Sequence, residues 1–424
     1  MNILMATNTY FPHVGGVARS VRSFTEAFRA EGHRVLVVAP TFDGTPPAET
    51  DVVRLPVFYR LRGSDFAVPL PLPHRIASAL KAFDPQLVHA HHPFLLGDTA
   101  LRVAAGRGLP MVFTHHTRYE LYTHYLAEDA PRLRRFVVEL VTGYCNLCDA
   151  VIAPSRAVAE LLRSRGVTVP VETIPTGIDT ARFAAGDGQA CRRRLGIPLD
   201  APVVGHVGRL APEKNLAFLA SALTAFLSAD PAAHCLLVGE GPLEAELRAT
   251  FVDAGVGERF HLLGALDPQA LADAYRAMTI FAFASRSETQ GLVLVEALAA
   301  GVPVVALDAP VVAETVVDGV NGALVAGEDR AVFCATLATL CGEDRTRLAG
   351  RARETASEYA IERCAERTLE LYRRLLTEAP GEKELASSPW ATARRRLVEE
   401  RQIWANILRA AGGAVRRAGK GDDD

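Results

Sequence analysis

The feature that most constrains this chain is a repeated alternation of short, wholly apolar segments with runs whose apolar residues recur every three or four positions. NILMAT opens the series; after a Gly-rich turn Val17, Val21, Phe24 and Phe28 recur at helical spacing until Glu31-Gly32, and VLVVAP follows. An unbroken apolar run of that length suits a strand covered on both faces. Strand, amphipathic helix, strand is the unit of a parallel, doubly wound sheet. LVHAHH and MVFTHH, two apolar strands that each end in histidines, continue the series, and VIAPS closes it. ETIPTGID and ARFAAGDGQA read as turn and connector. PVVGHVG then begins the same pattern afresh, with CLLVGEG, RFHLLGA, TIFAFAS and VPVVAL as strands and Leu216, Leu219, Leu223 and Phe226 marking a helix. The chain is therefore expected to be α/β, with Rossmann-like domains over 1–185 and 186–359. A helix over 360–377 should return to the first domain, and 378–424 should form a linker and a basic amphipathic tail.

Composition narrows the function classes. At 424 residues, 49% of them hydrophobic, the chain can fill two cores. A net charge of -3 gives no bulk attraction to nucleic acid, so none is expected as a partner. Seven cysteines, an odd number scattered through ordinary elements, do not read as a disulfide framework, and the lone Cys145-x-x-Cys148 has no second pair to complete a zinc site. MNILMATNTY lacks the pattern of a signal peptide, and the most apolar stretch, 291 to 307, contains Glu296. These features point to a cytoplasmic enzyme.

Three motifs carry chemistry. PHVGGVAR follows the first strand and opens a helix, so Gly15 and Gly16 can bring backbone N–H groups to a phosphate; glycines at such turns also serve plain packing. GRLAPEKN places Arg209 and Lys214 at the carboxyl end of the second sheet, where two cations suit a diphosphate, although a surface loop with two charges would read the same. SETQGLVLVEALAAGVPVVA places Glu288 in a loop and Glu296 in the next helix, a pair taken as too polar for a core. Carboxylates accept hydrogen bonds from sugar and ribose hydroxyls, while Gly291 and Leu292 start a helix whose amides can face phosphate oxygens.

Taken together, Glu288-x7-Glu296, G-R-L-x-x-x-K, the early GGV loop, IPTGID and DGVNGALV resemble a family 4 retaining glycosyltransferase of the GT-B fold over residues 1 to 377. The resemblance implies that Gly16 meets the donor phosphate and that Arg209 and Lys214 stabilise the nucleoside diphosphate. It implies too that Glu288 holds the transferred sugar, Glu296 the ribose, and the backbone near Leu263 and Gly264 the base. A histidine at a first-domain strand end belongs beside the reacting sugar; of His115 and His116 in T-H-H-T, motif alignment selects His116. His116, Arg209, Lys214 and Glu288 then form the catalytic set, in a cleft between the domains. Substitution on one face of the sugar needs no protein nucleophile. A nucleotide sugar is the co-substrate, and no further cofactor is implied. His89, His91 and His92 raise a metal as an alternative, but no carboxylate cluster or Asp-x-Asp motif accompanies them.

THHTRYELYTHY further resembles the acceptor region of bacterial enzymes that glycosylate diacylglycerol, which would set Tyr119, Glu120, Tyr122, His124 and Tyr125 on the acceptor side. An aromatic run of this kind also suits packing. The apolar, Pro-rich loop from Gly63 to Pro73, with Phe66, Val68 and Leu70, could form part of a lipid entrance, and PRLRRFVVELV could touch a bilayer. The tail from Trp390 carries Arg394, Arg395, Arg396, Arg401, Arg409, Arg416 and Arg417, with Leu397, Trp404, Leu408 and Ala411 on one helical face; it would either lie on an anionic membrane or pack on the protein. The expectation is thus hexose transfer, from UDP-glucose, to a lipid acceptor at the inner face of the cell membrane. UDP-galactose or GDP-mannose as donor, a phosphoinositide, polyprenyl-linked or soluble sugar as acceptor, a sugar-nucleotide epimerase, and a membrane scaffold remain as alternatives.

Overall fold

The computed structural model describes residues 1–13, 15–60, 67–69, 73–123, 131–342, 345–378 and 389–416. It divides into two compact units, Met1–Gly177 with Cys364–Asp424, and Ile178–Arg363.

The first unit is built on a seven-stranded parallel sheet in the order Val52–Leu55, Arg34–Pro40, Asn2–Ala6, Leu87–Ala90, Met111–Thr114, Ala150–Ala153, Val171–Thr173. Strand order reverses about Asn2–Ala6, the kind of switch point at which ligands meet the carboxyl ends of doubly wound sheets. The helix Gly16–Ala30 buries Val21, Phe24 and Phe28, and Gly32 after it takes φ +78°, which stops the helix where the sequence indicates. Tyr372, on the helix Ile361–Glu378, is fully buried against Phe28 and His89, which ties the returning chain to this sheet.

The second unit has a six-stranded parallel sheet in the order Phe260–Leu262, His234–Val238, Val203–Val207, Ile280–Phe283, Val304–Leu307, Gly322–Val325. Alternate residues of one strand feed opposite cores: Phe281 and Phe283 pack with Val203 and Leu236, while Ile280 and Ala282 pack with Val204 and Leu237. That two-sided burial is why these strands are apolar throughout.

The sequence puts a boundary at 185/186, whereas the compact units part between Gly177 and Ile178. Ile178 and Phe183 sit in the core of the second unit beside Tyr275 and Leu294, so the connector packs as part of that unit. The helix Pro389–Arg416 lies against the helices Leu96–Arg107 and Pro131–Cys145 of the first unit. Among the described residues no helix is long and apolar enough to cross a membrane. Most of the Gly63–Pro73 loop and the linker near 379–388 lie outside the described residues.

Candidate functional site: two strand-edge clusters

In the second unit the motif loops leave the strands of one parallel sheet at the same edge. Gly208-Arg209 follows Val203–Val207, Glu288 follows Ile280–Phe283, and Leu263-Gly264 follows Phe260–Leu262. Lys214 Nζ donates to Glu288 Oε1 at 2.7 Å across 74 residues of sequence, with the side chains 21% and 15% exposed. Burial pushes the Glu288 carboxyl up, but the charge and hydrogen bond of Lys214, with the Ser285 hydroxyl, outweigh it and hold the carboxyl below its usual range. Arg209 Nη1 lies 4.0 Å from Glu213 Oε1, so each motif cation stands beside its own carboxylate. Glu213 is a member of the site that the sequence did not single out.

Beneath this pair lies His206, also unremarked in the sequence although it interrupts the apolar strand PVVGHVG. It is fully buried, its Nδ1 is 3.0 Å from the Ala282 carbonyl, and burial lowers its pKa to about 4. A neutral ring there adds no charge to oppose Lys214.

The expectation that neither carboxylate belongs to the interior is corrected for Glu296. It is 3% exposed, and its Oε2 accepts from the hydroxyl of Tyr275 at 2.7 Å. A carboxylate can be buried when a donor replaces water, and Tyr275 supplies one from the neighbouring helix Pro268–Ala277. Gly291 takes φ +73° to begin the helix Leu292–Ala299, a conformation that side-chain-bearing residues adopt at a cost. The Leu263 N–H donates to the Leu237 carbonyl and the Gly264 carbonyl accepts from Gly239, which leaves the Leu263 carbonyl and the Gly264 N–H as the groups a base would use.

In the first unit Gly15 is the extended residue before the helix Gly16–Ala30, and a side chain at Gly16 would meet nothing within 4 Å. Five histidines gather at the carboxyl ends of Leu87–Ala90 and Met111–Thr114. His89 bridges the Tyr372 hydroxyl and Thr114 Oγ1, at 2.5 and 2.7 Å. His92 Nδ1 accepts from the Asn8 N–H at 3.1 Å, and His91 Nδ1 lies 3.0 Å from His116 Nε2. Burial lowers His89 and His92 to about 3 and His115 to about 4, and brings His91 and His116 well below the usual value, so all five are neutral near pH 7. Of the strand-end pair, His115 is 1% exposed with neither ring nitrogen hydrogen-bonded, whereas His116 is half-buried. Among the described residues no group of three or more His, Cys, Asp or Glu is placed to hold a metal ion.

The proposed acceptor stretch forms a short helical turn, Tyr119–Leu121. The Tyr119 ring stacks edgewise on Phe94 at 5.0 Å, and Tyr122 is half-buried. Glu120 is 8% exposed; its Oε1 accepts from Arg165 at 2.7 Å and from Arg118 at 3.1 Å. In this structure it is an internal counterion that pins the turn. His124 and Tyr125 lie outside the described residues. Cys145 and Cys148 are free and buried, and burial pushes both thiols up, Cys145 to about 12.

Two doubly wound parallel-sheet units, each with a polar cluster at the carboxyl edge of its sheet, have the make-up of the GT-B fold. The model "Glycosyltransferase Family 4" matches residues 14–182, and "Glycosyl transferases group 1" matches 201–343. The chain is 29% identical to an alpha-monoglucosyldiacylglycerol synthase of Streptococcus pneumoniae over 93% of its own length and 90% of that protein. It is 33% identical to a GDP-mannose-dependent alpha-mannosyltransferase of Mycobacterium tuberculosis over 73% and 79%. Its structure superposes on sucrose-phosphate synthase from Thermosynechococcus elongatus with a TM-score of 0.71 at 23% identity, over 88% of this chain and 99% of that one. The chain belongs to glycosyltransferase family 4, and it is a glycosyltransferase.

Proposed function

We propose that this enzyme transfers a hexose from a nucleotide sugar, UDP-glucose, to a lipid acceptor such as diacylglycerol, with retention of configuration, forming a glycolipid. The observation that carries the donor half is the Lys214–Glu288 pair at the carboxyl edge of the second sheet. An ammonium carries three donors, so a lysine at this edge can meet a diphosphate while the Glu288 carboxylate keeps it in place. Arg209, beside Glu213, adds a second cation; together they oppose the charge that grows on the leaving group. Glu288 accepts from hydroxyls of the transferred sugar, Glu296 from the ribose, and the backbone of Leu263 and Gly264 meets the base. Gly15, Gly16 and the amides of Gly291 and Leu292 meet phosphate oxygens. A neutral His116 ring can hydrogen-bond a sugar hydroxyl without adding charge beside it. On this reading no protein nucleophile, metal or further cofactor takes part.

The lipid half is supported by the synthase of S. pneumoniae, which the chain matches along nearly its whole length. Tyr119 and Tyr122, with His124 and Tyr125, would line the acceptor side, and the protein would work as a peripheral enzyme on the cytoplasmic face of the membrane. The mannosyltransferase of M. tuberculosis supports a second reading, with GDP-mannose as donor and another acceptor. The test is release of nucleoside diphosphate from UDP-glucose or GDP-mannose, with and without diacylglycerol vesicles, using Glu288→Ala as control. Vesicle-dependent UDP release that the variant lacks is expected; turnover only with GDP-mannose, or only with a soluble acceptor, would replace this reading by the second.

A further inference from the structure

Among the described side chains of the helix Pro389–Arg416, the buried ones fall on one side. Ile403, Asn406 and Ala410 are buried at 3%, 6% and 1% exposure, and Asn406 Nδ2 donates to the Leu140 carbonyl at 3.0 Å. A Cβ at Gly143 would overlap the Asn406 amide, so the two helices meet at backbone contact. Glu399 lies beside Cys148 and Asp149 while Asn406 meets Leu140 and Gly143, so the helix runs antiparallel to Pro131–Cys145.

The opposite side is open. Leu397 is 71% exposed, Trp404 58% and Leu408 68%, at spacings of seven and four that align them in one stripe. Arg401 is exposed on the same side and Arg409 on its flank, and no carboxylate occurs from 401 to 416. The side chain of the nearest acid, Glu400, is itself exposed and is paired with Arg102. The antiparallel course brings the end of this helix beside the start of Pro131–Cys145, where Arg132 and Arg134 are exposed. A surface helix docked on a core ordinarily shows a polar outer face; this one shows two leucines and a tryptophan among cations.

That chemistry selects among occupants. A second copy packed on this stripe would bury arginine charge without a carboxylate on the same face to meet it, and protein interface cores are depleted of charge. A bilayer surface accepts the whole pattern: apolar side chains enter the acyl boundary, tryptophan suits the interface, and arginines reach anionic headgroups. We propose that the outer face of the helix Pro389–Arg416, through Leu397, Trp404, Leu408, Arg401 and Arg409, docks the protein on an anionic lipid bilayer. The proposal deepens the lipid-acceptor reading and rests on it for its purpose.

The test is flotation of the full chain with vesicles of phosphatidylcholine alone or mixed with phosphatidylglycerol. The wild type is expected to float with the anionic vesicles. Leu397→Ser/Trp404→Ser/Leu408→Ser should lose tenfold or more of that partition, and Arg401→Gln and Arg409→Gln about fivefold each. Circular dichroism should show the variants folded, and Trp404 emission should shift to the blue on anionic vesicles in a Trp390→Phe background. Unchanged flotation of the triple variant, failure of the wild type to float, or wild-type self-association abolished by the triple variant without effect on flotation would each overturn the proposal. UDP release on diacylglycerol in nonionic micelles separates this from the function: the triple variant should keep that activity, and a wild type inactive there overturns the lipid-acceptor reading while flotation still decides the docking face.

Discussion

Replacing Lys214 by alanine separates a catalytic cation from a structural one. The substitution leaves the Glu288 carboxylate, 15% exposed, without the partner now 2.7 Å away. Exposed pairs contribute under about 1 kcal/mol, and removing half of a fully buried pair costs about 3–5 kcal/mol. This pair lies between those limits, so a loss of about 2 kcal/mol is expected, or roughly 4–8 °C in Tm for a unit of this size. The effect on rate should be larger. One preorganised donor to a developing charge is worth about 10²–10³ in kcat, so kcat should fall by about that factor in a nucleotide-release assay at saturating donor, at a temperature where circular dichroism shows the variant folded. The pH dependence carries a second signature. In the wild type the Glu288 carboxyl is held low, so its contribution to stability is present above the usual carboxylate range and is lost as pH falls through the folded value. Without Lys214 the effect of burial is the largest remaining, the carboxyl rises, and that contribution should instead weaken as pH increases. A folded Lys214→Ala variant with kcat within about threefold of wild type would refute the assignment of this cation to the leaving group.

Three further outcomes follow from the geometry. Tyr275→Phe removes the donor to the buried Glu296 Oε2, which should cost about 1–3 kcal/mol in chemical denaturation and raise KM for the nucleotide sugar more than it lowers kcat; an unchanged KM would detach Glu296 from donor binding. Arg165→Ala should destabilise the first unit by about 1.5–3 kcal/mol, because Glu120 loses its shorter ion pair; a Tm equal to wild type would show that Arg118 suffices. The buried histidines of the first unit stay neutral when folded and protonate when unfolded, so stability is complete above about pH 6.5 and is lost toward pH 3–4, at about 1.4 kcal/mol per pH unit for each histidine. Melting curves that do not move between pH 7.5 and 5.5 would contradict their burial.

What the sequence determined by itself is what repeats at short range. Apolar strands alternating with helices at three-to-four spacing mark both sheets, because a strand covered on two faces must be apolar throughout and a helix covered on one must be apolar along a stripe. Glycine at Gly32 and Gly291 marks helix edges because those turns need positive φ. The loops carrying Arg209, Lys214, Glu288, Leu263 and Gly264 were legible for the same reason: parallel strands deliver their following loops to one edge. Tertiary structure alone decided which partner each polar group found. Glu288 meets Lys214 across 74 residues, Glu296 meets Tyr275 across 21, and Glu120 meets Arg165 across 45. No local pattern encodes these pairs, since each forms only when packing brings distant segments together and burial makes an unpaired carboxylate costly. His206 and Glu213 stayed hidden for that reason, and so did the place of Ile178 and Phe183 in the second core. The tail was doubly ambiguous: its apolar residues form two faces, and only the packing of Asn406 against Gly143 shows which face is covered and which is left to solvent.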